Sequence, residues 1–197
     1  MGFLYPAPKQ HLSMNGNMYW IALKRVDRRN LETFIQSFDF SKETFKPICS
    51  FPFEYRISAD RDWICDTEVF SGFRGDRLSL FRQRVGDETR EIEVWVTNKV
   101  TDGIVSWSKY LSVACPGLPI LNPRFFRYGY VPTFFIHKTN SIVLWCDEDV
   151  RDGYACTRFY ELGPGGIEKQ VETRQRCRRG NPCVSNFVYV PSLVPVP

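Results

Sequence analysis

The sequence has no apolar run long enough to span a bilayer, and no window in which apolar residues recur at helical spacing. The first absence excludes a membrane-spanning helix, and the second argues against helical bundles and alternating α/β folds. The seven cysteines (49, 65, 115, 146, 156, 177 and 183) form no Cys-x-x-Cys pair, and no set has the spacing that zinc sites use. There is no Asn-x-Ser/Thr acceptor, and the start Met1-Gly2-Phe3-Leu4-Tyr5-Pro6 lacks the basic and apolar regions of a secretory signal. Pro6 occupies the position where a myristoylation signal needs Ser or Thr. These absences predict reduced thiols in a cytoplasmic or nuclear protein with no membrane contact. A strong charge of one sign is missing too: 26 Lys and Arg stand against 22 Asp and Glu, a scattered net +4 that points to no nucleic-acid partner.

What is present is aromatic and β-forming. Phe, Tyr and Trp make up 15% of the 197 residues, hydrophobic residues 43% and charged residues 24%, the composition of an ordinary globular domain rich in strand formers. Glycines and prolines punctuate the chain every few residues, so the predicted fold is all-β. In Glu91-Ile92-Glu93-Val94-Trp95-Val96-Thr97, Ile92, Val94 and Val96 share one face while Trp95 points to the other, because side chains alternate along a strand. A strand loaded on both faces belongs in the middle of a layered structure.

That strand sits in a unit that recurs. Asn15-Gly16 between apolar runs marks a first hairpin, Gly75-Asp76 a second, and Lys138-Thr139-Asn140 a third. Phe38, Trp95 and Phe159 fall in corresponding third strands; Phe45, Trp107 and Ile167 open the fourth strands at intervals of about sixty positions. The units cover about 11–50, 67–115 and 131–172, with a closing strand at 186–194 and a truncated lead-in at 1–10. Strands are predicted near 17–23, 77–82, 91–97 and 141–146. Four antiparallel strands per unit, stacked radially, give a partial β-propeller of about three blades; the alternative is a β-sandwich built from the same strands. With only three units, the outward faces of the first and third are expected to stay uncovered.

Candidate chemistry is sparse. His11 and His137 precede hairpin turns and have no paired carboxylate or cysteine at catalytic spacing. Asp147-Glu148-Asp149 with Asp152-Gly153 fails the order of a calcium loop, since Arg151 occupies a ligand position, and reads as a charged turn between strands. Gly163-Pro164-Gly165-Gly166 joins two strands and opens no helix, so it reads as a turn rather than a phosphate cradle. No catalytic, metal or cofactor residue is assigned. Arg174, Arg176, Arg178 and Arg179 form the one local concentration of charge, either a solvated loop or a surface for an acidic or phosphate-bearing partner. Trp20, Trp95, Trp107 and Trp145 take strand positions and read as blade core. Trp63, between Asp62 and Ile64, is the tryptophan whose place the repeat does not explain, and it joins the four arginines as a candidate partner-binding residue.

Five segments in order carry a family resemblance: Asn15-Gly16-Asn17-Met18-Tyr19-Trp20; Ser37 to Phe45; Glu93-Val94-Trp95-Val96; Ser106-Trp107-Ser108-Lys109-Tyr110-Leu111; and Tyr189-Val190-Pro191-Ser192-Leu193. From about His11 to the C-terminus the chain resembles the plant F-box-associated interaction domain. The resemblance implies a kelch-like propeller and a non-catalytic module that selects the protein to be modified by an SCF-type ubiquitin ligase. The F-box itself, the helical segment that binds the Skp adaptor, is not among these residues. Contact with the Skp adaptor is therefore expected only through an F-box elsewhere in a full-length protein, and the bound target is unknown. The alternatives are a non-functional truncated remnant of such a protein and a stand-alone kelch-like enzyme domain.

Overall fold

The computed structural model describes residues 4–25, 31–53, 67–84, 88–101, 103–121, 132–151 and 154–176, and every regular element in them is a strand. Twelve strands form three four-stranded antiparallel sheets. The first contains β1 (Leu4–Met14), β2 (Asn17–Arg25), β3 (Leu31–Asp39) and β4 (Thr44–Ser50). The second contains β5 (Thr67–Phe73), β6 (Arg77–Gln83), β7 (Glu91–Thr97) and β8 (Trp107–Ala114). The third contains β9 (Thr133–Ile136), β10 (Ile142–Arg151), β11 (Tyr154–Gly163) and β12 (Gly166–Arg176). Within each sheet the strands follow chain order, so each is a simple meander. All four strand runs predicted near 17–23, 77–82, 91–97 and 141–146 are found.

Local chemistry sets the turns. Asn15 (φ 52°) and Gly16 (φ 71°) take successive left-handed conformations, the backbone of a tight hairpin turn whose twist matches that of the flanking strands. Arg74 (φ 54°) and Gly75 (φ 76°) repeat this between β5 and β6. At the β3–β4 turn Asp39 Oδ1 accepts from the Ser41 amide (2.9 Å), the Ser41 hydroxyl (2.6 Å) and the Lys42 amide (3.3 Å). These bonds, the Ser41 hydroxyl foremost, hold its carboxyl below the usual aspartate range. The wider β7–β8 loop is pinned by Asn98, whose side chain donates to Ile104 O (2.9 Å) and accepts from the Ser106 amide (2.8 Å).

β1 reaches back to Leu4, through residues that the sequence suggested were a lead-in without pattern. Its prolines hid the strand. β1 is an edge strand, where proline is tolerated, and its register with β2 shifts between Pro6 and His11. Pro47 lies likewise in the edge strand β4, opposite a shift between Ile35 and Gln36.

The sheets stack face to face. Leu12, Met14, Tyr19, Ile21 and Ile35 of the first sheet bury against Phe70 and Leu78 of the second. On its other face the second sheet packs Val69, Phe81, Ile92, Val94 and Val113 against Phe134, Ile142, Leu144, Tyr160 and Leu162 of the third. Val69 and Phe70, neighbours on β5, thus enter opposite layers, as strand alternation requires. A two-sheet sandwich would leave each sheet one wet face; here the middle sheet has none. The first strands β1, β5 and β9 adjoin one another, whereas β4 and β8 are far more exposed, so the sheets radiate from an inner row of first strands. Such an arrangement is part of a β-propeller.

Candidate partner-binding surfaces

The residues nominated from sequence fall in two places. Arg174 and Arg176 occupy alternate positions near the end of β12, in register with Cys156 and Tyr154. They belong to a strand rather than a loop, and among the described residues that strand lies at the edge of its sheet, where backbone groups are open to a partner. Arg178, Arg179 and Trp63 lie outside the described residues, as does the closing strand expected at 186–194. The acidic run Asp147-Glu148-Asp149, read as a turn, is part of strand β10, with a register shift between Glu148 and Arg151. The turn read at Gly163–Gly166 is present, closing the β11–β12 hairpin.

Two further surfaces stand beside these, the first not read from the sequence and the second lying on the outward faces that the sequence singled out. One is the end of the stack where the hairpin turns gather. Asn15 Nδ2 donates to Gly75 O (3.0 Å), tying a turn of the first sheet to one of the second; Tyr110 Oη of β8 donates to Asn140 Oδ1 (2.9 Å) in the β9–β10 turn, and Val100 N donates to Asp76 O (3.0 Å) within the second sheet. Ile104 projects from this end at 84% exposure, and Arg77 and Lys99 flank Asp76 at 3.7 and 3.5 Å. The signal for Ile104 was present, an aliphatic residue in a Gly-containing loop, but without an apolar partner in sequence it had no pattern to join.

The other surface is aromatic. On the outer face of the first sheet Phe38 lies 4.8 Å from Phe45 and 5.1 Å from Phe40, and Trp20 meets Phe45 edge-on at 6.0 Å. Phe45 is 69% exposed and Phe40 55%. The third sheet carries a second ladder, with Trp145 at 5.9 Å from Phe135 and 6.4 Å from Phe159. Trp20 and Trp145 therefore sit on the outer faces of the terminal sheets, half-buried, while Trp107 lies between the first and second sheets and donates to Ser50 O (2.9 Å).

The buried polar groups are structural in their chemistry. Glu93, its side chain only 9% exposed, holds Lys109 Nζ at 2.5 Å and Arg82 Nη1 at 3.5 Å. Lys109 in turn lies 4.9 Å over the Trp95 ring, and Arg82 3.9 Å over Phe53. One carboxylate between two cations ties β6, β7 and β8 together. Gln83 clamps the segment after β8, donating to Pro119 O (2.8 Å) and accepting from the Leu121 amide (2.7 Å). His137 Nδ1 meets Thr139 Oγ1 (2.8 Å), which meets Ser141 Oγ (3.0 Å), which donates to Glu161 Oε1 (2.8 Å). This chain of bonds closes the β9–β10 turn, and Ser141 is buried in it. Burial raises the Cys49 thiol to about 11, and the Cys115 thiol also rises, which leaves neither a ready nucleophile. Among the described residues no cluster of three or more His, Cys, Asp or Glu converges as metal ligands do, and no helix is long and apolar enough to cross a membrane.

Three antiparallel meanders stacked around a common inner row define a member of the β-propeller class. Residues 4–196 match the model of the F-box associated beta propeller domain, and the chain belongs to that family. Among curated relatives, the Arabidopsis thaliana protein described as "Putative F-box protein At1g77650" is 59% identical over 201 residues, covering 96% of this chain and 52% of its own length. The F-box/WD-40 repeat-containing protein 1 of Arabidopsis thaliana is 42% identical over 189 residues, covering 94% of this chain and 43% of its own. The chain thus spans about half the length of these relatives. A solved glycoside hydrolase family 43 β-1,3-galactosidase covers 82% of the chain, and 34% of its own, at 10% identity and a TM-score of 0.38, a likeness that carries no argument.

Proposed function

We propose that the chain is the substrate-recognition module of an F-box subunit of an SCF-type ubiquitin ligase: a non-catalytic domain that binds the protein to be ubiquitylated. The observation that carries this reading is family membership across residues 4–196, together with relatives that are F-box proteins. A rigid stack of sheets with tied turns at one end and an arginine-bearing strand suits a binding scaffold, since rigid elements preorganise the surfaces they present. The partner in this reading is a target protein; the Skp adaptor is reached through an F-box in the full-length protein, in the cytoplasm or nucleus, without nucleic acid or membrane.

Arg174, Arg176, Arg178, Arg179 and Trp63 are the positions proposed to meet the target, with an acidic or phosphorylated segment as the complementary chemistry. The test is affinity capture from plant extract followed by binary binding with each purified candidate. A target that binds the parent chain, and binds at least tenfold more weakly to the chain carrying Arg174→Glu and Arg176→Glu, supports the assignment. Equal affinity of the two chains removes the arginines from the site. Absence of any saturable binary partner overturns the recognition reading.

A further inference from the structure

We propose that the turn end of the middle sheet docks an acidic segment of the target protein, with Arg74, Arg77 and Lys99 meeting its carboxylates and Ile104 meeting an apolar residue among them. The proposal rests on the recognition reading and adds a second contact to it. The middle sheet has a neighbouring sheet on each side, so this surface does not depend on what lies beyond either end of the chain. β5 starts and β8 finishes at the opposite end of the stack, which leaves two closed loops, 74–76 and 98–106, to form this one.

The other two sheets serve as internal controls. In the first hairpin of each sheet the left-handed positions are Asn15 and Gly16, Arg74 and Gly75, and Asn140. Asn and Gly suit that backbone, and arginine does not. Stacking of Arg74 over the Phe73 ring at 4.9 Å offsets part of the cost. An arginine held where asparagine would sit with less strain points to a use outside the fold. Arg74 is exposed and pairs with no carboxylate among the described residues.

The second hairpins differ in the same sheet. Residues 40–43 and 164–165 close those of the first and third sheets, whereas the longer stretch 98–106 closes that of the middle one. This loop is pinned: the Asn98 side chain binds Ile104 O and the Ser106 amide, and Asn98 N donates to Ser106 O (3.1 Å). Ile104 is thereby held out at 84% exposure, an aliphatic side chain preorganised for an apolar contact. Val100 N ties the loop to Asp76 O, so loop and turn form one surface. On it Arg74, Arg77 and Lys99 face one described carboxylate, that of Asp76; Asp102 lies outside the described residues. Asp76 stands 3.7 Å from Arg77 and 3.5 Å from Lys99, longer than charge-assisted hydrogen bonds. Both cations therefore keep donors for an incoming carboxylate, and the complementary ligand is acidic with an apolar side chain.

The experiment pans a random phage-displayed peptide library on the 197-residue chain and measures the enriched peptides by fluorescence anisotropy. They are expected to place Asp or Glu around one aliphatic or aromatic residue. Each is expected to bind at least tenfold more weakly to Ile104→Ser and to Arg74→Asn, and to weaken as salt is raised. Arg74→Asn should unfold at or above the parent's temperature, and Ile104→Ser with the parent, so neither loss of binding is a folding defect. Peptides without that composition, or acidic peptides that bind both variants as they bind the parent, overturn the proposal. If such peptides weaken instead with Arg174→Glu and Arg176→Glu, the recognition reading stands and the site moves to β12. No enrichment also overturns this docking site, while the recognition reading is decided separately by capture of a whole target protein.

Discussion

Asn15 donates its side-chain amide to the backbone carbonyl of Gly75 across 3.0 Å, joining the first turn of one sheet to the equivalent turn of the next. Both residues sit at positive φ, so the bond links two backbones already fixed by the same turn chemistry. Asn15 thus serves its own hairpin through its tolerance of the left-handed region and the neighbouring sheet through its amide.

Those two roles separate by substitution. Asn15→Gly keeps the backbone and loses the bond, and is expected to cost about 0.5–1.5 kcal/mol. Asn15→Ala adds the left-handed penalty of about 1–2 kcal/mol. Urea unfolding should order the variants parent, Gly, Ala. A Gly variant as stable as the parent would show that the link between turns contributes nothing.

Burial separates Phe81 from Trp95. Phe81 is fully buried between the second and third sheets, where it meets Phe134 at 5.5 Å, and Phe81→Ala should cost about 3–5 kcal/mol. Trp95 is half-buried under Lys109, and its Nε1 finds no acceptor among the described residues. Trp95→Phe removes that unsatisfied donor and is expected to be neutral within about 1 kcal/mol. Thermal melts decide; a large loss for Trp95→Phe would mean that the indole N–H is bonded after all.

How much of this was legible depends on range. The hairpin at Asn15-Gly16 and the double-faced strand around Trp95 could be read because turn preference and strand alternation act over a few residues. The sixty-residue recurrence also located the three sheets. It did not reveal that Phe38 and Trp95 face toward the start of the stack while Phe159 faces away from it: a single position in a two-residue period reverses a face, and strand starts read from sequence are not that sharp. β1 was underestimated because two prolines obscure a strand whose edge position makes them harmless. The Glu93 ion pairs with Arg82 and Lys109, and the clamp of Gln83 on Pro119 and Leu121, join groups that only strand pairing or packing brings together. Nothing in their local sequence distinguishes them from surface charges and amides.

Cys49 gives a pH signature. Its thiol rises from 9.0 to about 11 in the folded chain because burial disfavours the thiolate. A raised folded value means that the contribution is fully present below pH 9 and is lost as pH rises toward 11. It amounts at most to about 2–3 kcal/mol. Tyr19 and Cys115 shift in the same direction, so the informative quantity is the difference between parent and Cys49→Ala. The parent should lose more stability than the variant between pH 8 and 10.5 in urea unfolding, and parallel losses would show that the Cys49 thiol is solvated.

The Skp adaptor should not bind this chain directly. That adaptor grips a helical F-box, and every regular element among the described residues is a strand. Calorimetric titration of purified Skp adaptor into the 197-residue chain is expected to show no saturable heat. Micromolar or tighter binding would contradict the proposed division of labour between F-box and recognition domain.

The most direct test of the recognition role joins the two halves of that division. A functional F-box is fused ahead of this chain and assembled with Skp adaptor and cullin in a reconstituted ligase, and ubiquitylation of a protein bound by the bare chain is measured. The account predicts modification that requires the fusion and falls in step with affinity when Arg174 and Arg176 are both changed to Glu. A bound protein that stays unmodified in the fused ligase, or is modified equally without this domain, would contradict it.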